Sequence, residues 1–199
     1  NQSRRQRQMC IRDSVIVGLD KANKEQFLHA SHFFSKLNKP FSLLWHDGPR
    51  LRAIHDELED MQLAPTELGK GRNVWYCIGL AHARGKAEAL ALHDCDITTY
   101  DRSLLARLFY PIANPNFQFE FCKGYYARVA DGKMNGRVSR LLVKPLLLAI
   151  EKVLGSNDYI NFMKSFRYPL AGEFSFRRSL IPELRIPSDW GLEVGILSE

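Results

Sequence analysis

Short aliphatic or β-branched runs alternate with stretches of helical spacing through the first half of the chain, and few architectures accept that order. Residues 14–19, SVIVGL, read as a strand ending at Asp20, and Phe27, Leu28, Ala30, Phe33, Phe34 and Leu37 then predict a helix over 23–37. FSLLW at 41–45 predicts a second strand. His46-Asp47-Gly48-Pro49 has turn chemistry, with the proline placed to open a helix carrying Leu51, Ile54, Leu58 and Met61. A helix over 73–84 and a strand over 89–93 follow. Such alternation predicts an α/β layered domain with a mainly parallel sheet, in which ligands collect at the carboxyl ends of the strands. Asp20, the turn at Asp47, and Asp94 with Asp96 all fall at such ends.

The acidic pair gives those ends a chemistry. In ALALHDCDITTY, at 89–100, an apolar run delivers Asp94 and Asp96 with Cys95 between them. On an extended backbone side chains two apart share a face, so both carboxylates can point at one place. Two adjacent anions repel unless a cation relieves them, and a divalent ion bridging to phosphate oxygens is the usual relief. The plainer alternative is a strand end whose aspartates cap the next helix. The same Asp-x-Asp-x-Thr pattern also fits a haloacid-dehalogenase-type phosphatase, with Asp94 as nucleophile and Asp96 as general acid.

Other stretches carry complementary charge. Gly69-Lys70-Gly71 flanks a lysine with two glycines, which allow close backbone approach to a ligand and leave a point charge for phosphate. A helix from 101 should stop at Pro111, and FQFEFCKGYYARV, 117–129, alternates like a strand with Lys123 near its middle. The loop 131–139 runs into an apolar helix over 138–154 that contains Pro145. A helix N-terminus favours an anion, and there Arg137 adds a planar fork and Ser139 a hydroxyl. A short helix over 159–166 precedes an extended or turning segment at 168–176. Pro187 then turns the chain into a final helix bearing Glu193.

Bulk composition admits these readings and weakens one other. The formal charge is +6, but residues 1–14 hold four arginines and one aspartate, and removing them leaves 24 basic against 21 acidic residues. That modest excess suits a phosphorylated small molecule as well as a polymer, so nucleic-acid binding through Arg137, Arg140, Lys144 and the aromatic strand at 117–126 is the weaker expectation. No apolar stretch predicts a secretory signal or a membrane span, and Cys10, Cys77, Cys95 and Cys122 lack metal or disulfide spacing. A cytoplasmic protein is expected. Residues 1–14, containing RQRQMCIRDS, are expected to be a non-native or disordered tail, with the native protein beginning further upstream and one domain at 15–199.

In order, Gly69-Lys70-Gly71, Asp94-Cys95-Asp96, Lys123, Gly136-Arg137-Val138-Ser139 followed by RLLVKPLL, Pro169-Leu170-Ala171-Gly172-Glu173 and Trp190–Leu197 resemble the glucosyl-3-phosphoglycerate synthases over about residues 15–199. The resemblance implies a GT-A fold, truncated at both ends in this chain. It implies metal-dependent transfer of glucose, with retained anomeric configuration, from UDP-glucose or GDP-glucose to 3-phosphoglycerate, as in glucosylglycerate synthesis. On that likeness Lys70, Asp94 and Cys95 lie against the donor nucleotide, and Asp20 joins them on the strand-end argument. Asp96 binds Mg2+ or Mn2+, Trp190, Gly191, Leu192 and Glu193 line the donor sugar, and Gly136, Arg137, Val138 and Ser139 hold the phosphoglycerate. No residue is assigned as a nucleophile, and a homodimer is a candidate assembly. The family's first strand and nucleotide loop are expected before residue 15, and its second metal ligand, a histidine, beyond Glu199. Ser139 where the family usually has threonine keeps the hydroxyl. Cys95 and the His46–Pro49 turn point to a divergent branch, leaving donor base and acceptor open.

Overall fold

The computed structural model describes residues 14–126, 129–130, 132–134 and 136–198, so the tail expected at 1–14 lies, apart from Ser14, outside the described residues. The chain divides into two compact units, one formed by the residues up to Glu88 with Arg178–Leu192, the other by Ala89–Arg177 with Glu193–Glu199.

The first unit follows the predicted alternation closely. Strands β1 (Val15–Leu19) and β2 (Phe41–Trp45) pair in parallel with Val15 opposite Phe41, and helix α1 (Lys24–Phe34) connects them. Asn23 caps α1 in a reciprocal capping box with Gln26, an arrangement that contributes about 1 kcal/mol. Pro49 opens α2 (Pro49–Asp60) as expected of a proline at the first helical position. Helix α3 (Lys70–Arg84) begins three residues earlier than its apolar spacing predicts and closes at Gly85 in the left-handed conformation (φ 63°). The return segment adds a 3-10 turn at Arg178–Glu183 that no sequence pattern announced.

The second unit is built on β7 (Phe174–Arg177), which lies between β3 (Ala89–Leu92) and β4 (Phe121–Lys123) and is antiparallel to both. A mainly parallel sheet is thus corrected to a mixed arrangement. The α/β class stands, but β7 returns from the far end of the chain and pairs against its two neighbours. Phe174 and Phe176 are fully buried, each contributing roughly 1.5–3 kcal/mol relative to an exposed side chain. Ser175, on the opposite face, donates to the Leu108 carbonyl of α4 (Arg102–Ala113) at 2.6 Å. That helix does not stop at Pro111. Two residues of the helix follow the proline, whose missing N–H removes one helical hydrogen bond, and Ile112 beyond it is 2% exposed.

Two further expectations change in this unit. The strand predicted over 117–129 is confined to β4, followed by the short hairpin of β5 (Val129–Ala130) and β6 (Lys133–Met134). The apolar helix predicted over 138–154 opens with a π-helical turn, Ser139–Val143, before α5 (Lys144–Leu154). Lys144 N–H reaches back to the Ser139 carbonyl, a five-residue step taken one position before Pro145. Proline has no N–H to give the ladder, so the wider turn sits where the regular pattern must break. Helices α6 (Asp158–Ser165) and α7 (Leu192–Ser198) complete the chain.

Candidate functional site

In the first unit the carboxyl ends of β1 and β2 meet the start of α3. The His46 N–H donates to the Leu19 carbonyl at 3.0 Å, the Ala22 N–H to Asp47 Oδ2 at 2.9 Å, and Trp45 Nε1 to the Ala22 carbonyl at 2.7 Å. Asp20 is ion-paired with Arg72 at 2.8 Å, with the two side chains 17% and 13% exposed. This mostly buried pair, together with Asn73 Nδ2 donating to the Gly18 carbonyl, ties α3 to β1. His46 is buried, and burial holds its imidazole below the ordinary value while the Asp20 carboxylate pulls the other way. Its Nε2 has no hydrogen-bond partner among the described residues. The sequence marks His46 only as a turn residue and gives Arg72 and Asn73 no site role; an arginine two residues past a glycine–lysine pair is the signal it offers.

The glycine–lysine–glycine turn proves to be the first turn of α3, and its glycines are explained by another part of the chain. Cβ atoms on Gly69 and Gly71 would run into the backbone of Ser188 and Asp189, and of Pro187, respectively. The Gly71 and Arg72 N–H groups donate to the Asp189 and Ser188 carbonyls at 3.0 and 2.8 Å, and Ser188 Oγ accepts from Glu67 N–H. The close approach expected toward a ligand is made instead to this segment, which continues into Trp190, 80% exposed, and Gly191. Lys70 and the Trp190–Gly191 segment are thereby brought together within one unit, and Leu192, next in the chain, is fully buried.

In the second unit β3 ends at Leu92, where its pairing to Phe174 ends, and Cys95 and Asp96 form a turn. The shared-face argument for Asp94 and Asp96 needs an extended backbone and does not reach them. Asp94 is half-buried, with its carboxylate against Gly172, where a Cβ would overlap both oxygens; Cys95 and Asp96 are exposed. Neither aspartate caps the following helix. Asp101 does so by accepting from Ser103 N–H, and hydrogen bonding from the Ser103 side chain, then from its N–H, holds the Asp101 carboxyl below the ordinary value.

Lys123 lies opposite Phe174, with its ammonium 5.2 Å from the centre of that ring, and donates to the Glu193 carbonyl at 3.0 Å. It secures the start of α7. The next residues are held by Glu173: its carbonyl accepts from Gly124 N–H at 2.7 Å, and its Oε2 from the Tyr126 hydroxyl at 3.0 Å. Thus Asp94, Gly172, Glu173, Tyr126, Lys123 and Glu193 form a connected set, of which Glu173 and Tyr126 were not assigned to a site from sequence.

The loop expected to hold an anion does end at a helix start. Gly136 adopts φ 83°, the chain is helical from Arg137, and Arg137 and Val138 are exposed. Ser139 is 3% exposed and its Oγ has no hydrogen-bond partner among the described residues. Asp131 and Asn135 of this loop lie outside the described residues.

Among the described residues no cluster of three or more His, Cys, Asp or Glu side chains could hold a metal ion. Asp94 and Asp96 offer carboxylate oxygens of the kind Mg2+ and Mn2+ accept, and such ions often take only one or two carboxylates beside substrate phosphates. The donor chemistry therefore fits. No helix among the described residues is long and apolar enough to cross a membrane.

No family model matches the chain. It is 45% identical over 185 residues to the glucosyl-3-phosphoglycerate synthase of Persephonella marina, covering 93% of this chain and 46% of that protein. With the enzyme of the same name from Methanococcoides burtonii it shares 40% identity over 188 residues, again covering 93% of this chain and 46% of the relative. The chain thus spans about half the length of these curated relatives. Among solved structures it resembles glucosyl-3-phosphoglycerate synthase from Mycobacterium tuberculosis in complex with phosphoglyceric acid, with a TM-score of 0.53 and 22% identity over 92% of this chain and 63% of that one. The same enzyme with Mn2+, UDP and glucosyl-3-phosphoglycerate gives a TM-score of 0.54 at 22% identity, with the same coverage. Across nearly its whole length, then, the chain is homologous to the glucosyl-3-phosphoglycerate synthases and has an α/β fold of the GT-A type.

Proposed function

We propose that this chain supplies nucleotide-sugar and acceptor residues of a metal-dependent retaining glycosyltransferase, which moves glucose from a nucleoside-diphosphate sugar to the hydroxyl of 3-phosphoglycerate in the cytoplasm. The observation that carries this reading is the 45% identity to a glucosyl-3-phosphoglycerate synthase over 93% of the chain. The phosphatase reading of Asp94 has no comparable support.

Breaking the bond between glucose and diphosphate leaves growing negative charge on the nucleotide, and charge that develops in the transition state is where fixed cations act most. Lys70, at the first turn of α3, supplies one such charge, and Asp20, Asp94 and Cys95 bind the nucleotide portion. Asp96, with its carboxylate exposed on the turn after β3, would hold Mg2+ or Mn2+. When bound, that ion supplies Lewis-acid stabilisation of the diphosphate. Trp190, Gly191, Leu192 and Glu193 line the sugar, and Glu193 orients its hydroxyls. Gly136, Arg137, Val138 and Ser139 hold the acceptor: the helix start and the Arg137 fork suit its phosphate and carboxylate, and the buried Ser139 hydroxyl adds a donor. No side chain is assigned as a nucleophile, so the acceptor hydroxyl attacks from the face the diphosphate leaves.

The test is release of nucleoside diphosphate by the purified protein with UDP-glucose and GDP-glucose, with and without 3-phosphoglycerate, before and after EDTA. The reading expects release that requires both acceptor and metal. Phosphate release from simple phosphomonoesters, with no use of either sugar nucleotide, would contradict it.

A further inference from the structure

Glu173 stands in the most buried run of the second unit. Residues 171–176 are all buried, and Glu173 itself is 4% exposed. A carboxylate in that position is costly unless hydrogen bonds offset its lost hydration. An apolar side chain of similar size would fill the volume without the penalty, so packing does not account for a glutamate there.

Its bonds indicate what it does. The Oε2 atom accepts from the Tyr126 hydroxyl, the backbone carbonyl accepts from Gly124 N–H, and Oε1 has no hydrogen-bond partner among the described residues. Glu173 therefore grips the chain just beyond β4 at two points, one residue either side of Tyr125. The preceding residue, Gly172, faces Asp94 so closely that a Cβ would overlap its carboxylate. Gly172 is thus set between a clamped residue and the carboxylate of Asp94. We propose that Glu173 is a positioning residue for Asp94: by clamping Gly124 and Tyr126 it fixes the Gly172 backbone against the Asp94 carboxylate and so sets where that carboxylate meets the donor nucleotide. This rests on the assignment of Asp94 to the donor site.

Calorimetric titration of the purified protein with UDP and with GDP, each in the presence of Mn2+, tests it. The variants are Glu173→Ala, Glu173→Gln, Tyr126→Phe and Asp94→Asn, read with the nucleotide that binds the parent more tightly. Glu173→Ala and Tyr126→Phe are expected to weaken the nucleotide about tenfold, which is the scale of one charge-assisted hydrogen bond. Glu173→Gln keeps an acceptor for Tyr126 and is expected to return affinity to within about threefold of the parent. A clamp that merely stabilised the fold would lower the number of competent sites and leave their affinity unchanged, and that result overturns the proposal. If Glu173→Ala does not fold, Tyr126→Phe decides, and unaltered affinity in it is equally fatal. Weakened binding in Asp94→Asn together with parental affinity in the Glu173 and Tyr126 variants sinks the clamp alone. Parental affinity in Asp94→Asn sinks the donor-site assignment, and the clamp with it.

Discussion

Asp94 and Asp96 stand two positions apart yet have different surroundings. One rests against a glycine in the unit's interior edge, the other is exposed on a turn. The exposed carboxylate is the one free to take a metal ion without first leaving a protein contact. Replacing Asp96 with asparagine keeps the shape and removes the charge, and is expected to lower metal-dependent turnover about 100-fold while leaving the melting temperature near that of the parent. Initial rates across a Mn2+ titration check it. Arg137→Ala is expected to raise KM for 3-phosphoglycerate about 10- to 100-fold with little change in KM for the sugar nucleotide, since the guanidinium is assigned to the acceptor alone. Steady-state kinetics with each substrate varied in turn separates the two. His46 makes a prediction about stability. Its folded-state pKa lies below the ordinary 6.5 because it is buried, so below that value the unfolded chain binds a proton that the folded chain resists. Its contribution to stability is present above the unfolded pKa and lost as pH falls through the folded one. The melting midpoint should therefore drop between about pH 7 and pH 5, and His46→Gln should remove part of that drop. Thermal melts of both proteins across that range check it.

Glycines and prolines at element boundaries separate what the sequence makes legible from what it does not. Pro49 and the strand runs at β1 and β2 act through near neighbours, so local spacing and turn chemistry predict them well, whereas Asn23, which the spacing places inside the helix, is its cap. Lys123 and the aromatic run around it looked like a longer strand because alternation continues past it, but only three residues find a partner strand, and that partner, β7, is remote in sequence. Pro111 looked like a stop because local reasoning does not weigh the burial of Ile112 that follows. Gly71 does serve close approach, as its place in the sequence predicts, but its neighbour is the Pro187 carbonyl rather than a ligand. Gly71→Ala is accordingly expected to destabilise the protein by about 1–3 kcal/mol, the cost of overfilling a tight contact. Gly79→Ala, on the same helix with open space about its Cβ position, is expected to be neutral or mildly stabilising. Chemical denaturation of the pair measures the difference. Equal stabilities would remove the 187–189 segment as the reason for that glycine.

For the whole molecule, homology over 93% of the chain and the α/β fold point to the same family of proteins, with the chain covering 46% of each curated relative. The order of motifs was legible in the sequence, because each is a short run of distinctive residues. Which of them touch was not, since Lys70 meeting the 187–189 segment and Asp94 meeting Gly172 depend on contacts between distant parts of the chain. The central claim is transfer of glucose to 3-phosphoglycerate with retention, and the anomeric proton of the product reports it directly. When the purified protein is supplied with α-linked nucleoside-diphosphate glucose, Mn2+ and 3-phosphoglycerate, proton NMR should show a new α-glucoside of phosphoglycerate, with the small coupling constant of that anomer. A β-glucoside, or glucose released with 3-phosphoglycerate unmodified, would contradict the account.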